Sequence, residues 1–296
     1  MLEHEERGVA PKLRDETLRR LGFAATPRPD LAGLRGLYLA WCLNVPFDNV
    51  RKMIALRREQ EQPLPGGHAA DFLEHWLAYG TGGTCWPSSN ALCELARALG
   101  FDAWRITGSM RDLGPINHGS IAVQCDGRRW LIDTSIMYNE PIPIDAETTS
   151  RTTGAFPVEI EATAEGGHLL WVDVPPGPGF TCCRLRSQPA MHAEFLAHYE
   201  TSRTRSPFNT RLYARRNRAD ELILLSGRTR HAKTATGVTS RELSPGELVL
   251  SLRDEIGIDQ GVIDEWIRAG GLASSCRPQR VEPPPIASGV PPSQRV

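Results

Sequence analysis

No apolar run in this 296-residue chain approaches the roughly 18 to 20 residues that a membrane-spanning helix needs, so no membrane partner is expected. Neither sign of charge prevails. Thirty-four Lys and Arg stand against 35 Asp and Glu, which removes the electrostatic basis for general nucleic-acid binding. The opening stretch, MLEHEERGVAPKLRDE, is polar and carries acids, unlike a secretory or transit segment, and a cytoplasmic location is expected. The cysteines at 42, 85, 93, 125, 182, 183 and 276 form an odd, unpatterned set that suits a reducing compartment. CxxC and HExxH are both missing. His168 with Cys182 and Cys183, or His68 with His75, lack the spacing of a ligand set, so no metal is expected. There is no internal repeat.

What is present divides into regions. Residues 13 to 80 read as helical: LRDETLRRLGF, then DLAGLRGLYLAWCL with Asp30 as N-cap, then DFLEHWLAYG. NVPFDNV (44 to 50) and PLPGG (63 to 67) interrupt them. From about residue 101 the period becomes that of strands: DAWRITGSM, GSIAVQC, RRWLIDTS, LLWVDV and FTCCRLR. MHAEFLAHYETS (191 to 202) returns to a helix, and residues 208 to 268 mix short strands (TRLYARR, ELILLSG) with an amphipathic helix around LSPGELVLSLRDEIG. The expected architecture is α+β: a helical domain over 1–100, an antiparallel β domain over 101–190, and a helix with an α/β unit over 191–272. RPQRVEPPPIASGVPPSQRV is rich in proline and poor in apolar residues, and a disordered tail is expected over 273–296.

One helix carries a chemical question. In GGTCWPSSNALCELARALGF (82 to 101), Leu92, Leu95, Ala96 and Leu99 fall at helical spacing and Gly100 suits the position just past the end. Pro87 fits the first turn. Cys85 therefore sits at the helix start, beside unpaired N–H groups and the positive end of the dipole, where a thiolate is favoured. Free cysteines are also among the most buried and inert of residues, so this stretch alone leaves a nucleophile and a packed thiol both open.

A base is offered by the β region. HGSIAVQCDGRRWLIDTS places Asp126-Gly127 between two alternating segments, the signal of a two-residue type I′ hairpin. Pairing Cys125 with Arg128 sets Ser120 opposite Asp133 and His118 opposite Ser135. His118 and Asp133 are then diagonal neighbours on one face, and Ile121, Val123, Trp130 and Ile132 share the other, taken as the core face. An imidazole oriented by a carboxylate is the second half of a nucleophile–base–orienter set, although a His–Asp pair on a strand pair also occurs as a plain surface pair.

These residues resemble a known family. A cysteine after Gly82-Gly83, a histidine opening a strand and an aspartate fifteen residues later resemble the Cys–His–Asp triad of the arylamine N-acetyltransferases. VPFDNV (45 to 50) is similar to that family's PFEN segment, LARALGF (95 to 101) to its helix end, SPFN (206 to 209) to its late S-x-F-N, and LSLRDEIGI (250 to 258) to its closing segment. The resemblance spans roughly residues 15 to 265. It implies a helical N-terminal domain, a central β-barrel and an α/β lid around a cysteine-protease-like core. It also implies Cys85 as nucleophile, His118 as base and Asp133 as orienter, with Phe47, Trp86, Thr134, Ser135, Ile136 and Phe208 about the substrate.

The implied chemistry passes an acyl group from a thioester, acyl-CoA or the phosphopantetheine arm of a carrier protein, through the cysteine to a small-molecule amine, with no permanently bound cofactor. The N–H of Trp86 is the expected oxyanion donor, and the arginines from Arg203 to Arg218 are candidates for the donor's phosphates. Members of the family usually carry Arg and Glu where this chain has Thr81 and Pro87, and V-G-F-G where it has Thr134-Ser135-Ile136-Met137; a histidine common before the PFEN segment gives way to Trp41 and Cys42. These departures point to a rewritten pocket with free hydroxyls, in which simple anilines are poorer acceptors than polar or larger amines, as in the related amide synthases. A transglutaminase-like cysteine hydrolase and a non-catalytic binding relative are the alternatives.

Overall fold

The computed structural model describes residues 8–58, 62–145, 148–151, 154–176, 179–278 and 291–294. Its first part is five helices: α1 (Pro11–Arg20), α2 (Leu31–Asn44), α3 (Val50–Arg57), α4 (Ala69–Tyr79) and α5 (Cys85–Ala98). The expected signals decide their ends. Asp30 caps α2 by accepting from Gly33 N at 2.8 Å, and Gly80 ends α4 at φ 71°. α5 closes in a Schellman turn, Gly100 N to Arg97 O at 2.9 Å and Phe101 N to Ala96 O at 3.1 Å, with Gly100 at φ 88°. The interruption at NVPFDNV holds a short strand, β1 (Phe47–Asp48), and it leads into α3, a helix too short to show a period in the sequence.

The larger sheet follows, with β2 (Asp102–Met110), β3 (His118–Cys125), β4 (Arg128–Ile132), β5 (Ile142–Pro143), β6 (Thr148–Arg151), β7 (Val158–Ala162), β8 (His168–Val172) and β9 (Thr181–Leu185). Its eight strands run in the order β5-β4-β3-β2-β9-β8-β7-β6, each pair antiparallel, so the barrel-like domain is an open sheet with β5 and β6 at its edges. The β3–β4 register is the one the hairpin signal dictates: Cys125 faces Arg128 and Ile121 faces Ile132. Asp126 and Gly127 take φ 49° and 75°, the two positive values a type I′ turn requires. One detail differs. Ala122 and Leu131, on the face expected to be polar, are as buried as Ile121 and Ile132. The domain is large enough to cover both faces of its central strands, so the His–Asp face is interior rather than solvated.

After α6 (His192–Thr201) comes a second, five-stranded antiparallel sheet of β10 (Tyr213–Asn217), β11 (Leu222–Ser226), β12 (Thr229–Thr234) and β13 (Gly237–Glu242), ordered β1-β10-β11-β12-β13. β1 is thus an edge strand of the C-terminal sheet, although it lies within the helical region of the chain: Phe47 pairs with Arg215 and Asp48 with Ala214. α7 (Pro245–Ser251) starts in a capping box of Ser244 and Glu247 and runs into a π-helical turn at Leu252–Ile256; α8 (Gln260–Arg268) and α9 (Gly271–Cys276) follow. Buried Val50, Met53, Leu225, Leu248, Ile263 and Trp266 belong to a second core joining α3, this sheet and the last helices. α9 carries the fold past residue 273, where a tail was expected, because Ser275 is buried and its hydroxyl accepts from Leu212 N at 2.9 Å. Of the expected tail, residues 279–290 and 295–296 lie outside the described residues. No described helix is long and apolar enough to cross a membrane.

Candidate functional site

Cys85 is the first residue of α5, one position deeper than the proline implied, and it is buried. The first amide of the helix to find a partner within it is Ser88 N, on Thr84 O at 3.2 Å. Pro87 has no N–H, so the amides of Cys85 and Trp86 stand ahead of the ladder at the positive end of the dipole. The lead-in to Cys85 is tied to β1. Asp48 N donates to Gly83 O at 3.2 Å, Gly82 N donates to Asp48 Oδ2 at 2.6 Å, and Val50 N donates to Asp48 Oδ1 at 2.9 Å. A Cβ on Gly82 would lie 1.7 Å from Pro46 O, so only glycine allows the approach. Thr81, where the resembled family carries Arg, bonds instead to His75 Nδ1 at 2.6 Å. Among the described residues no cation is bonded to Asp48. Burial pushes its carboxyl up to about 6 against the pull of the Val50 and Gly82 amides and the charge of Arg51.

His118 opens β3 and Asp133 follows β4 directly, and His118 Nε2 lies 2.6 Å from Asp133 Oδ2. The hairpin register therefore delivers the pair as expected. Asp133 Oδ1 accepts from Ser135 N and Oγ, both at 2.9 Å, and from Ile136 N at 2.8 Å, an Asx-type turn that fixes the carboxylate from behind. Tyr38 of α2 adds its hydroxyl on Asp133 O at 2.7 Å. On its other side the imidazole has the Cys85 side chain as a neighbour, which also favours the charged ring. With Nε2 on the carboxylate, Nδ1 is the ring nitrogen left for the thiol. Next to it, Gly119 admits Trp86 and Phe195, which a Cβ would strike at 2.8 and 2.4 Å.

The electrostatics follow from this chain of contacts. Burial depresses the His118 pKa more than any one partner raises it, yet the charge of Asp133, Cys183, and the hydrogen bonds to Asp133 and Cys85 together hold it well above the ordinary imidazole value. Burial likewise works against ionisation of Asp133, but the charge and hydrogen bond of His118, with the Ile136 amide and Ser120, keep its carboxyl below the usual range. Both shifts favour the charged forms of the pair, a carboxylate and an imidazolium.

Other residues singled out in the sequence take varied places. Phe47 and Phe208 meet edge to face, centroids 5.3 Å apart, and Tyr213 completes the cluster at 5.6 Å from Phe47 and 5.1 Å from Phe208. Phe47 also bridges to Gly83, which places this aromatic group beside the lead-in to Cys85. Trp86 packs against Phe195 at 4.7 Å and His198 at 5.3 Å, both on α6. Thr134 and Ser135 are not free to meet a substrate through their hydroxyls: Thr134 Oγ1 lies 2.9 Å from Ser89 Oγ, and Ser135 Oγ is spent on Asp133. Ile136 is buried and lends its amide to the same carboxylate. The stretch that departs from the resembled family is thus the support of Asp133, not a row of new polar contacts.

Most arginines of the run bond within the molecule, and Arg215 alone of them is buried. Arg203 holds Glu200 at 2.9 Å, Arg216 donates to Leu43 O and Ile256 O, and Arg218 lies 3.7 Å from Glu221. Arg215, wholly buried, donates to Ser135 O at 3.3 Å, Met137 O at 3.2 Å and Asn217 Oδ1 at 3.2 Å. Asn217 donates to Met137 O and to Asn139 Oδ1. β10 thereby grips the turn that follows Asp133, a role that residue type alone did not disclose; the neighbouring pair Ala214-Arg215 reads in sequence as one more alternation. Lys52, on α3, was not singled out either. It is buried, donates to Ser202 Oγ at 2.8 Å and lies within charge reach of Cys85. No group of three or more metal-ligating side chains occurs among the described residues.

Comparison with known proteins gives the family and the fold. A family model described as N-acetyltransferase matches residues 30–263. The arylamine N-acetyltransferase of Mycobacterium abscessus superposes with a TM-score of 0.73 at 23% identity, over 88% of this chain and 94% of that one. That of Mycobacterium marinum gives 0.76 at 18% identity, over 88% and 99%, and its complex with CoA gives 0.74 at 20%, over 88% and 97%. No match was found among curated proteins.

Proposed function

The chain belongs to the N-acetyltransferase family, and from that premise we propose that it moves an acyl group from a thioester through Cys85 to an amine. The observation that carries this reading is the contact chain Cys85–His118–Asp133 at the start of α5. His118 takes the thiol proton at Nδ1 when it is neutral, or stabilises the thiolate as imidazolium, and the ionised Asp133 holds the ring in either state. The sulfur attacks the thioester carbon, and the resulting oxyanion faces the amides of Cys85 and Trp86. Collapse breaks the donor's C–S bond, and the leaving thiolate takes a proton from His118. The amine then attacks the acyl-enzyme, gives its proton to His118, and releases Cys85 as thiolate.

The donor of first choice is acyl-CoA, since the M. marinum relative is described in complex with CoA. Phe47, Phe208 and Tyr213 supply an apolar, aromatic wall for the acceptor beside the nucleophile's loop. With the Thr134 and Ser135 hydroxyls engaged elsewhere, the support for an aryl amine is stronger than the departures in sequence implied. The seven cysteines, all free, suit a reducing cytoplasm.

Intact-mass measurement after mixing with acetyl-CoA tests the reading. One acetyl group on the peptide containing Cys85, discharged as amide when aniline is added and absent in Cys85→Ser, is the expected result. Free acetate without amide would identify a hydrolase instead, and no adduct with any of a panel of acyl-CoA or acyl-pantetheine thioesters would remove the acyl-transfer reading altogether.

A further inference from the structure

The molecule has two buried lysines, and they are held differently. Lys233 is 5% exposed, and its ammonium lies 3.0 Å from the Asp173 carboxylate. Lys52 is 3% exposed and donates to Ser202 Oγ at 2.8 Å and Ser202 O at 3.2 Å, with its nitrogen 5.9 Å from the centre of the Tyr199 ring. No carboxylate of the described residues pairs with it. The acid in its neighbourhood, Glu200, is already spent: Oε1 accepts from Leu64 N at 2.5 Å and Oε2 from Arg203 at 2.9 and 3.2 Å.

An ammonium has three donors, and Ser202 occupies two of them. Removing a charge from water without a counter-ion is costly, and the amine responds by dropping to about 8, burial being the main cause, with the charge of Cys85 acting in the opposite sense. Lys52 thus lies within charge reach of Cys85, with one N–H and one unit of charge uncompensated among the described residues. Tyr199 and Ser202 come from the end of α6, the helix whose Phe195 and His198 cover Trp86, so the same helix frames the lysine and the nucleophile's neighbour.

We propose that Lys52 recognises a carboxylate carried by the substrate, on the acyl group or on the acceptor amine, and makes an acidic substrate the preferred one. The proposal rests on the cysteine acyl-transfer reading above. A substrate carboxylate would give Lys52 what Asp173 gives Lys233, in a site where water is excluded and a charge-assisted hydrogen bond is strong.

Two arms locate the carboxylate. In the first, Cys85 acylation is timed with the CoA thioester of a dicarboxylic acid and with its monomethyl ester. In the second, acetyl-CoA is paired with an aminobenzoate and with its methyl ester. The wild type is expected to favour the acid over the ester by about tenfold or more in one arm, the advantage falling to near unity in Lys52→Met and returning in part in Lys52→Arg. Each ratio is taken within one protein, so a variant that folds incompletely still reports. Alkylation gives a readout free of acyl transfer: the rate of iodoacetate relative to iodoacetamide at Cys85 is expected to fall about tenfold in Lys52→Met. Equal treatment of acid and ester in both arms by the wild type, or an alkylation ratio unmoved by Lys52→Met, overturns the proposal. Failure of every thioester with the alkylation ratio still sensitive to Lys52 would instead overturn the acyl-transfer reading.

Discussion

The His118–Asp133 pair and Cys85 reach the same point by different means. His118 and Asp133 are set by one hairpin, β3 to β4, whose ladder and two-residue turn share one register. Cys85 is set by β1 and the second sheet, through Asp48 on the Gly82 amide and through β1's pairing with β10. The electrostatics divide along the same line. Asp133 has a histidine as partner and is held low, whereas Asp48, bonded among the described residues to backbone amides alone, is pushed up to about 6. Placement by local register gives a robust ion pair; placement across a seam of distant segments leaves a carboxyl with little to compensate its burial.

Breaking the seam should have the largest effect. Gly82→Ala forces a Cβ to within 1.7 Å of Pro46 O, a backbone atom that cannot swing away. A loss of at least about 4 kcal/mol is expected, together with a fall in Cys85 acylation of about 100-fold or more in whatever protein remains folded. Denaturant unfolding and acylation rates check it. Acylation near the wild-type rate would show that the lead-in does not set the nucleophile.

The two carboxyls sharpen the contrast through pH. Asp48 has a folded value of about 6 against an ordinary 3.8, so the folded state holds its proton more tightly. Its burial therefore costs nothing below about pH 4, and the penalty grows until about pH 6, reaching roughly 3 kcal/mol. Asp133 has the opposite sign: its contribution is present above the ordinary carboxylate range and is lost as pH falls below it. In Asp48→Asn the stability of the wild type relative to the variant should decline by roughly 3 kcal/mol between pH 4 and pH 7. A difference that is flat across this interval would contradict the picture of an uncompensated carboxyl.

Perturbing the hairpin at its turn should do least. Gly127 sits at φ 75° with nothing within 4 Å of a Cβ, so Gly127→Ala meets only backbone strain, about 1 kcal/mol. The pH profile of Cys85 alkylation should not move, because the register is also fixed by the ladder. A shifted profile would mean that the turn, rather than the pairing, positions His118.

The same division explains what could be read from the sequence. Asp126-Gly127, flanked by alternating apolar residues, announces its own geometry, and the His118–Asp133 diagonal follows by counting. Asp30, Gly80 and Gly100 likewise mark helix ends through backbone chemistry that is local to each. Strand β13, with all six residues exposed, has no apolar period to find, and β12 carries mainly polar residues. The pairing of Phe47 with Arg215 joins segments far apart in the chain, and no short pattern encodes it. The hydroxyls of Thr134 and Ser135 looked available because a sequence shows a side chain's chemistry without its partners; Ser89 and Asp133 had already claimed them. Lys52 escaped notice for the same reason, since its missing counter-ion is visible only in three dimensions.

The position of β10 along the chain gives the molecule a schedule. A ribosome emits Cys85, His118 and Asp133 in that order, and all three are outside well before Arg215 and Asn217 exist. Until those two residues arrive, the turn after Asp133 lacks its grip at Ser135, Met137 and Asn139, and β1 has its bridge to Gly83 but no strand to pair with. A nascent chain stalled before β10 contains Cys85, His118 and Asp133 but lacks the second sheet that braces β1. The lead-in to Cys85 gains its last support late in synthesis, when the second sheet closes on the seam.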